Sequence, residues 1–373
     1  MDARIAAVAL IAVITGIALG YAVEAGRGAT VTSTSTTTML STTTVTKAVT
    51  TTYTVTSTAT KATTVTATLS KTVTARRIVL VDALGRTVVL SGPARRVVSL
   101  APSITETICM MGLCGRLVAV DQYSLSIKGV PKNVVNVGGF WQPSPEKILE
   151  AKPDIVLACS GVPAQERLAR QLEQEGVKVF FTRCDKSRDW NDIKWDVKAI
   201  GELLGAPERA AKLINWMDSQ LSRLSGELVN TTRPGAALIV YLSSNGAWVA
   251  GGGTFQDTML STAGARNVFH SLYGWQMVGY EDLVAKNMSY VFITTMGSES
   301  NAEKLLEAVA KTPLARTRAY KEGHICVLYG AASNAVSRPS PKAVLGAELL
   351  AHLMHPGRVP APSLEGYICG PSK

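Results

Sequence analysis

Residues 154–184 read DIVLACSGVPAQERLARQLEQEGVKVFFTRC, and their pattern decides the fold class. The runs DIVLACS and VKVFFTRC are continuously apolar and end in small or polar residues, the pattern of strands buried on both faces. Between them PAQERLARQLEQEG is amphipathic, opened by Pro163 and closed by Gly176 at a C-cap position. Strand, helix and strand at this spacing predict a parallel sheet.

Upstream, RVVSLAPSITETICMMGL reads as a buried strand, a Pro-Ser loop and a helix whose first turn holds Thr105 and Glu106. LVAVDQY adds another strand, and RIVLVDALGRTVVL reads as a hairpin around a Gly-containing turn. From Trp190 to Asn230 the strand signal disappears. Ala210, Leu213, Ile214, Met217, Leu221, Leu224 and Leu228 recur at three- and four-residue intervals behind Pro207, which predicts one long helix. Beyond Pro234 the α/β pattern resumes with AALIVYLS, YVFITT and HICVLYG as strands, and with helices over 255–263 and 342–352. The predicted fold class is therefore α/β: two lobes with parallel sheets, residues 76–190 and 231–373, joined by a rigid interlobe helical linker over 191–230.

Two segments precede the lobes. Residues 5–23, IAAVALIAVITGIALGYAV, carry no charge, and nineteen residues at 1.5 Å rise span roughly the hydrocarbon core of a bilayer. Residues 1–28 are thus a secretory signal or a membrane anchor. Val23-Glu24-Ala25 offers a cleavage site, whereas the length of the run favours export with retention as an anchor. No cysteine follows closely, so lipid attachment there is excluded. Residues 29–75 are about half Thr, and Tyr53 is their one aromatic residue. Such a tract buries too little apolar surface to offset its ordering entropy and is expected to be a disordered, extended stalk, although the Thr-Val alternation in TYTVTST is a competing strand signal. The expected location is the extracytoplasmic face of the membrane.

The net charge is +10 over 373 residues, and +7 remains once residues 1–75 are set aside. That remainder holds no run of Lys/Arg, no zinc-finger spacing and no RNP-type strand, which argues against nucleic acid as a partner. Catalytic motifs are missing too. Gly251-Gly252-Gly253-Thr254 lacks the lysine of a phosphate loop, and neither G-x-S-x-G nor H-E-x-x-H occurs. Four scattered histidines do not suggest a metal centre. Six cysteines in an exported chain suggest disulfides. Cys159 and Cys184 end consecutive parallel strands, Cys109 and Cys114 flank one helix end, and Cys326 is within reach of Cys369 in the tail, which makes these three the expected pairs.

A weak repeat links the lobes: EKILEAKPDIVLA over 146–158 matches EDLVAKNMSYVFI over 281–293. It sets Glu146 and Glu281 at equivalent positions, each in the first turn of its helix, where a carboxylate also favours the helix dipole. Aromatic residues occur in glycine-rich or polar loops, namely Phe140 and Trp141 after Gly138-Gly139, Trp248 in SSNGAWVAGGG and Trp275 in SLYGWQMVGYE. They serve either to tuck loops onto the body or to contact a large, planar ligand.

The runs RRVVSLAPSITETICMMGL, RLVAVDQY, VGGFWQPSPEKILEAKPDIVLA and LEQEGVKVF, followed by GGGTFQDTMLSTAGARNVF and WQMVGYEDLVAKN, resemble the substrate-binding proteins of ABC importers for cobalamin and ferric siderophores. The resemblance covers nearly all of residues 77–355. It implies a monomeric, non-enzymatic receptor that holds its ligand between two lobes and delivers it to a permease and its ATPase. It places docking glutamates at Glu146 and Glu281, ligand-contacting aromatics at Tyr123, Trp248 and Trp275 with the Phe140–Trp141 loop nearby, and a polar pair at Asn334 and Arg338. No cofactor is expected of the chain, since the ligand itself is a ferric siderophore, a corrinoid or haem. A cleft tryptophan of cobalamin binders is Cys159 here, and the acidic member of the polar pair is Asn334. An enzyme of metal or tetrapyrrole chemistry on a related scaffold, or a stalked adhesion protein, are the alternative readings.

Overall fold

A computed structural model describes residues 50–59, 63–72 and 77–370, the first two runs for their backbone. The apolar run 5–23, with most of the expected anchor and stalk, lies outside the described residues. Among those described, no helix is long and apolar enough to cross a membrane. The chain divides into two units, residues 1–79 and 80–373. In the first, Thr50–Ala59 and Thr63–Thr72 pair antiparallel, with Thr50 opposite Thr72 and Ala59 opposite Thr63. Composition alone predicts a disordered chain here. The difference follows from β-branched Thr and Val, which favour extended backbone even without a bulky face to bury.

The second unit holds two α/β lobes. In the first lobe five parallel strands stand in the order Val179–Thr182, Ile155–Cys159, Val97–Ser99, Leu117–Val120 and Val135–Asn136. The three central strands are short and apolar, and burial on both faces explains the absence of alternation in their sequences. Helix Pro163–Gln174 covers one face with Leu168, Ala169 and Leu172, which join Val98, Val156, Val179 and Phe181 in the core. The helix ends as its sequence dictates. Gly176 takes φ +81°, its N–H donates to the Glu173 carbonyl, and that of Val177 donates to Leu172.

The second lobe departs from the all-parallel expectation. Gly235–Leu242, Tyr290–Thr294 and Ile325–Leu328 are parallel, with the short Arg266–Asn267 also beside Gly235–Leu242. The flanks are antiparallel: Gly246–Ala250 and then Trp275–Gly279 on one side, Tyr367–Cys369 on the other. A three-residue turn, Ser243 to Asn245, reverses the chain, closed by the Ser243 N–H donating to Gly246. Gly246 is required there, because a Cβ would lie 2.1 Å from the Val278 carbonyl oxygen. Val249, Phe269, Leu283, Val291, Ile293, Leu306 and Val327 form this lobe's core.

The linker is two helices rather than one. Trp190–Leu203 starts at Asp189, whose carboxylate accepts the Asn191 and Asp192 N–H groups. Pro207–Glu227 is the predicted long helix, with Ala210, Leu213, Met217 and Leu224 buried. The two cross closely at Gly201, where a Cβ would sit 2.4 Å from that of Ala210. Lys194 and Asp218 tie them at 3.0 Å, and Arg223 ties the long helix to Glu348 of the second lobe at 2.6 Å. Three disulfides, Cys109–Cys114, Cys159–Cys184 and Cys326–Cys369, lie within the second unit with Cα separations of 4.5, 5.2 and 4.1 Å.

Candidate functional site

In an open α/β sheet the C-terminal strand ends face the ligand, and the chemistry of the first lobe collects there. Asp121 follows Val120 and caps the turn Gln122–Ser124, accepting from the Tyr123 N–H and the Ser124 hydroxyl. Asp121 is fully buried while Tyr123 beside it is 38% exposed. Burial pushes the Asp121 carboxyl up, against the pull of these hydrogen bonds and of Arg338 from the other lobe.

Phe140 and Trp141 form the two-residue turn between Gly138–Gly139 and Gln142–Pro143. Their rings meet edge to face at 4.8 Å, and Trp141 is 58% exposed. The loop is held by Gln165, which is fully buried. Its Nε2 donates to the Phe140 carbonyl at 2.9 Å and the Leu100 carbonyl at 3.1 Å, and its Oε1 accepts the Cys159 N–H at 2.8 Å. Gln165 was not among the predicted site residues, yet its signal was present as a polar residue on the buried stripe shared with Leu168, Ala169 and Leu172.

Beyond Cys159, the disulfide to Cys184 closes the strand ends. Cys184 adopts φ +44°, and the Asp196 carboxylate holds this turn by accepting the Arg183 and Cys184 N–H groups at 2.7 and 3.0 Å. Burial outweighs those bonds and pushes the Asp196 carboxyl up to about 7.

In the second lobe, strand pairing aligns an apolar row. Tyr241 is opposite Trp248, Trp248 is opposite Met277, and Trp275 lies two residues before Met277 on the same face. Tyr241, Trp248 and Met277 are all exposed. The Trp275 end, opposite Ala250, runs through Gly251–Gly253 into helix Phe255–Thr262. There Gln256 Nε2 donates to the Val336 and Ser337 carbonyls, just ahead of Arg338. Two cavities, of about 440 and 510 Å³, lie beside the long helix and beside Tyr280, and none of the predicted ligand residues lines either.

The lobes meet at Arg338. Its expected companion Asn334, one helical turn earlier, supplies a backbone carbonyl to the Arg338 N–H. The side-chain partner of Arg338 is instead Glu106 of the first lobe, at 2.7 Å, and Ser340 donates its hydroxyl to the other Glu106 oxygen at 2.7 Å. Glu106 lies on helix Pro102–Met110, in which Ser103 to Ile108 are all buried. A charge inside such a helix signals a partner; the partner itself is 232 residues away and invisible to local pattern.

Glu146 and Glu281 occupy equivalent places. Each is the second residue of a six-residue helix, Pro145–Glu150 or Tyr280–Ala285, and each is exposed. Ile148 and Leu283, two residues on, are the buried anchors, and the strands Ile155–Cys159 and Tyr290–Thr294 follow. The Ser144 hydroxyl donates to Glu146 at 2.7 Å and holds its carboxyl below the usual range.

Comparison with known proteins agrees with this architecture. A family model described as periplasmic binding protein matches residues 97–331. An uncharacterized ABC transporter substrate-binding lipoprotein of Bacillus subtilis is 25% identical over 285 residues, 75% of this chain and 86% of its own. The vitamin B12-binding protein of Photorhabdus laumondii is 28% identical over 200 residues, 53% of this chain and 70% of its own. Among solved structures, a periplasmic heme binding protein from Pseudomonas aeruginosa superposes with a TM-score of 0.59 at 25% identity, covering 73% of this chain and 95% of its own. With its two lobes, its helical bridge and a match over most of its length, the chain belongs to the periplasmic binding protein family, whose members bind substrates for transport and are not enzymes.

Proposed function

We propose that this protein captures an iron(III)–siderophore or a cobalamin-type ligand between its lobes, outside the cell, and delivers it to an ABC importer. The observation that supports the reading is the presence of exposed or half-exposed aromatic residues on both lobes, Tyr123, Phe140 and Trp141 on the first and Trp248 and Trp275 on the second, with Asn334 and Arg338 as the proposed polar contacts. Half-burying one Trp face, about 100 Å² at about 25 cal/mol per Å², supplies roughly 2.5 kcal/mol. Two or three such faces suffice for micromolar binding of a large chelate. The metal arrives inside the ligand, and the chain needs no cofactor of its own.

Delivery uses Glu146 and Glu281, one per lobe, docked on basic side chains of the permease. Two carboxylates at a fixed spacing set register and encounter rate. The N-terminal run keeps the monomeric receptor at the membrane, and the Thr-rich segment spaces it from the surface. The B12-binding and heme-binding relatives support a tetrapyrrole-like or chelated ligand, and the motif resemblance supports a siderophore.

Titration of tryptophan fluorescence with cobalamin, a ferric hydroxamate and haem tests the reading, with calorimetry as the second readout. Saturable binding of one at micromolar concentration or below is expected, weakened roughly fiftyfold in Trp275→Ala. No saturable binding of any chelate rejects it.

A further inference from the structure

One contact between the lobes is an ion pair, Glu106 with Arg338. Glu106 is 3% exposed and has both carboxylate oxygens engaged, one by Arg338 and one by Ser340. Arg338 remains 18% exposed while its guanidinium is paired with a buried acid. Asp121 is a second buried acid under the influence of the same guanidinium. The Arg338 charge is thus offset by Glu106 before any ligand arrives. At the strand ends of the first lobe, Arg183 is paired with Asp192 and lies over the Trp195 ring, and Lys186 follows Asp185 in the turn after Cys184.

We infer that Glu106, by holding Arg338 across the cleft, makes the site select a chelate without net negative charge. The inference rests on the receptor reading above and narrows its ligand class to uncharged or cationic complexes, such as a neutral ferric trihydroxamate or a corrinoid. A polyanionic ligand can reach the guanidinium donors that Glu106 leaves free, but it meets a pair whose charges already cancel. Withdrawing Arg338 strands the Glu106 carboxylate, buried and without counter-charge, a penalty far larger than an exposed ion pair returns. Aromatic faces, by contrast, accept apolar surface whatever the charge elsewhere on the ligand. Selectivity here comes from what the floor refuses.

The test is a competition on the full chain between an uncharged ferric trihydroxamate, cobalamin and a ferric tricatecholate trianion. The natural protein is expected to prefer an uncharged probe over the trianion by roughly tenfold or more. Glu106→Gln keeps an acceptor for Ser340 and frees one positive charge. It is expected to shift that ratio at least about tenfold toward the trianion, with trianion binding that weakens as salt is added. Glu106→Asp retains the charge and is expected to retain the preference. Tighter binding of the tricatecholate by the natural protein overturns the inference while leaving the receptor reading intact, and requires no variant to fold. An unchanged ratio in a folded Glu106→Gln protein overturns it as well. Failure of every probe to bind overturns the receptor reading, and this inference with it.

Discussion

The two lobes are alike where the chain presents its acidic helices and unlike where it presents aromatic rings. Glu146 and Glu281 sit on matched six-residue helices ahead of matched strands. The aromatic residues have no such equivalence. In the first lobe Phe140 and Trp141 ride on a two-residue turn that one buried side chain, Gln165, pins to the sheet. In the second lobe Tyr241, Trp248 and Met277 are cross-strand neighbours on an antiparallel extension that the first lobe lacks. The contrast separates two demands. On the proposed function, a surface that meets a two-part partner keeps the internal repeat, whereas a surface that grips an irregular ligand is free to abandon it.

Three perturbations break or sharpen this contrast. The largest effect is expected from reversing the matched acids. Glu146→Arg together with Glu281→Arg should lower ligand uptake by a reconstituted importer about a hundredfold, as opposed charges become like charges. Ligand affinity of the isolated protein should stay within about twofold. Loss of affinity and uptake in parallel would place these acids in the binding site instead.

A middle-sized effect is expected at Gln165. Gln165→Ala orphans the Cys159 N–H and the Leu100 and Phe140 carbonyls, at a cost of about 2–4 kcal/mol read by denaturant unfolding. It should also release the Phe140–Trp141 turn and weaken ligand binding, while near-ultraviolet dichroism from the second-lobe tryptophans persists. A neutral Gln165→Ala would mean that the turn holds itself.

The smallest effect is a pH slope at Asp196. Its folded carboxyl stands at about 7, above the ordinary aspartate value of 3.8. Between these two values the folded state keeps a proton that the unfolded chain releases, so the favourable contribution is complete below about pH 4 and is lost as pH rises through about 7. Asp196→Asn should flatten the decline of stability over that window, measured as unfolding midpoint against pH. An identical slope in the variant would assign the decline to other groups.

Much of the first lobe was legible because its signals are local. Pro163, Gly176 and the Leu168–Leu172 stripe specify a helix between two apolar strands, and each does in the structure what its chemistry requires. The long helix was equally open to reading from Ala210 to Leu224. The flanking antiparallel strands of the second lobe were not. Trp275–Gly279 shows no clean alternation, because one face is exposed and apolar, carrying Trp275 and Met277. The helix Trp190–Leu203 gave only an absence of strand signal. Glu106 reads from sequence as a first-turn acid, whereas its helix starts at Pro102 and places it in the second turn, and its pairing with Arg338 belongs to the tertiary fold. The site was thus legible as residue types and illegible as partnerships.

The cysteines carry a consequence for how the protein is made. Counted along the chain, first bonds to second, third to fourth and fifth to sixth. No loop encloses another, and none interlocks with another. A chain threaded outward from its N-terminal end therefore presents each cysteine directly before its mate. An oxidant that joins thiols in order of arrival produces the correct set at once, with no wrong bridge for an isomerase to undo. At the proposed location outside the cytoplasm, this order of pairing leaves oxidation as the main requirement for the bridges.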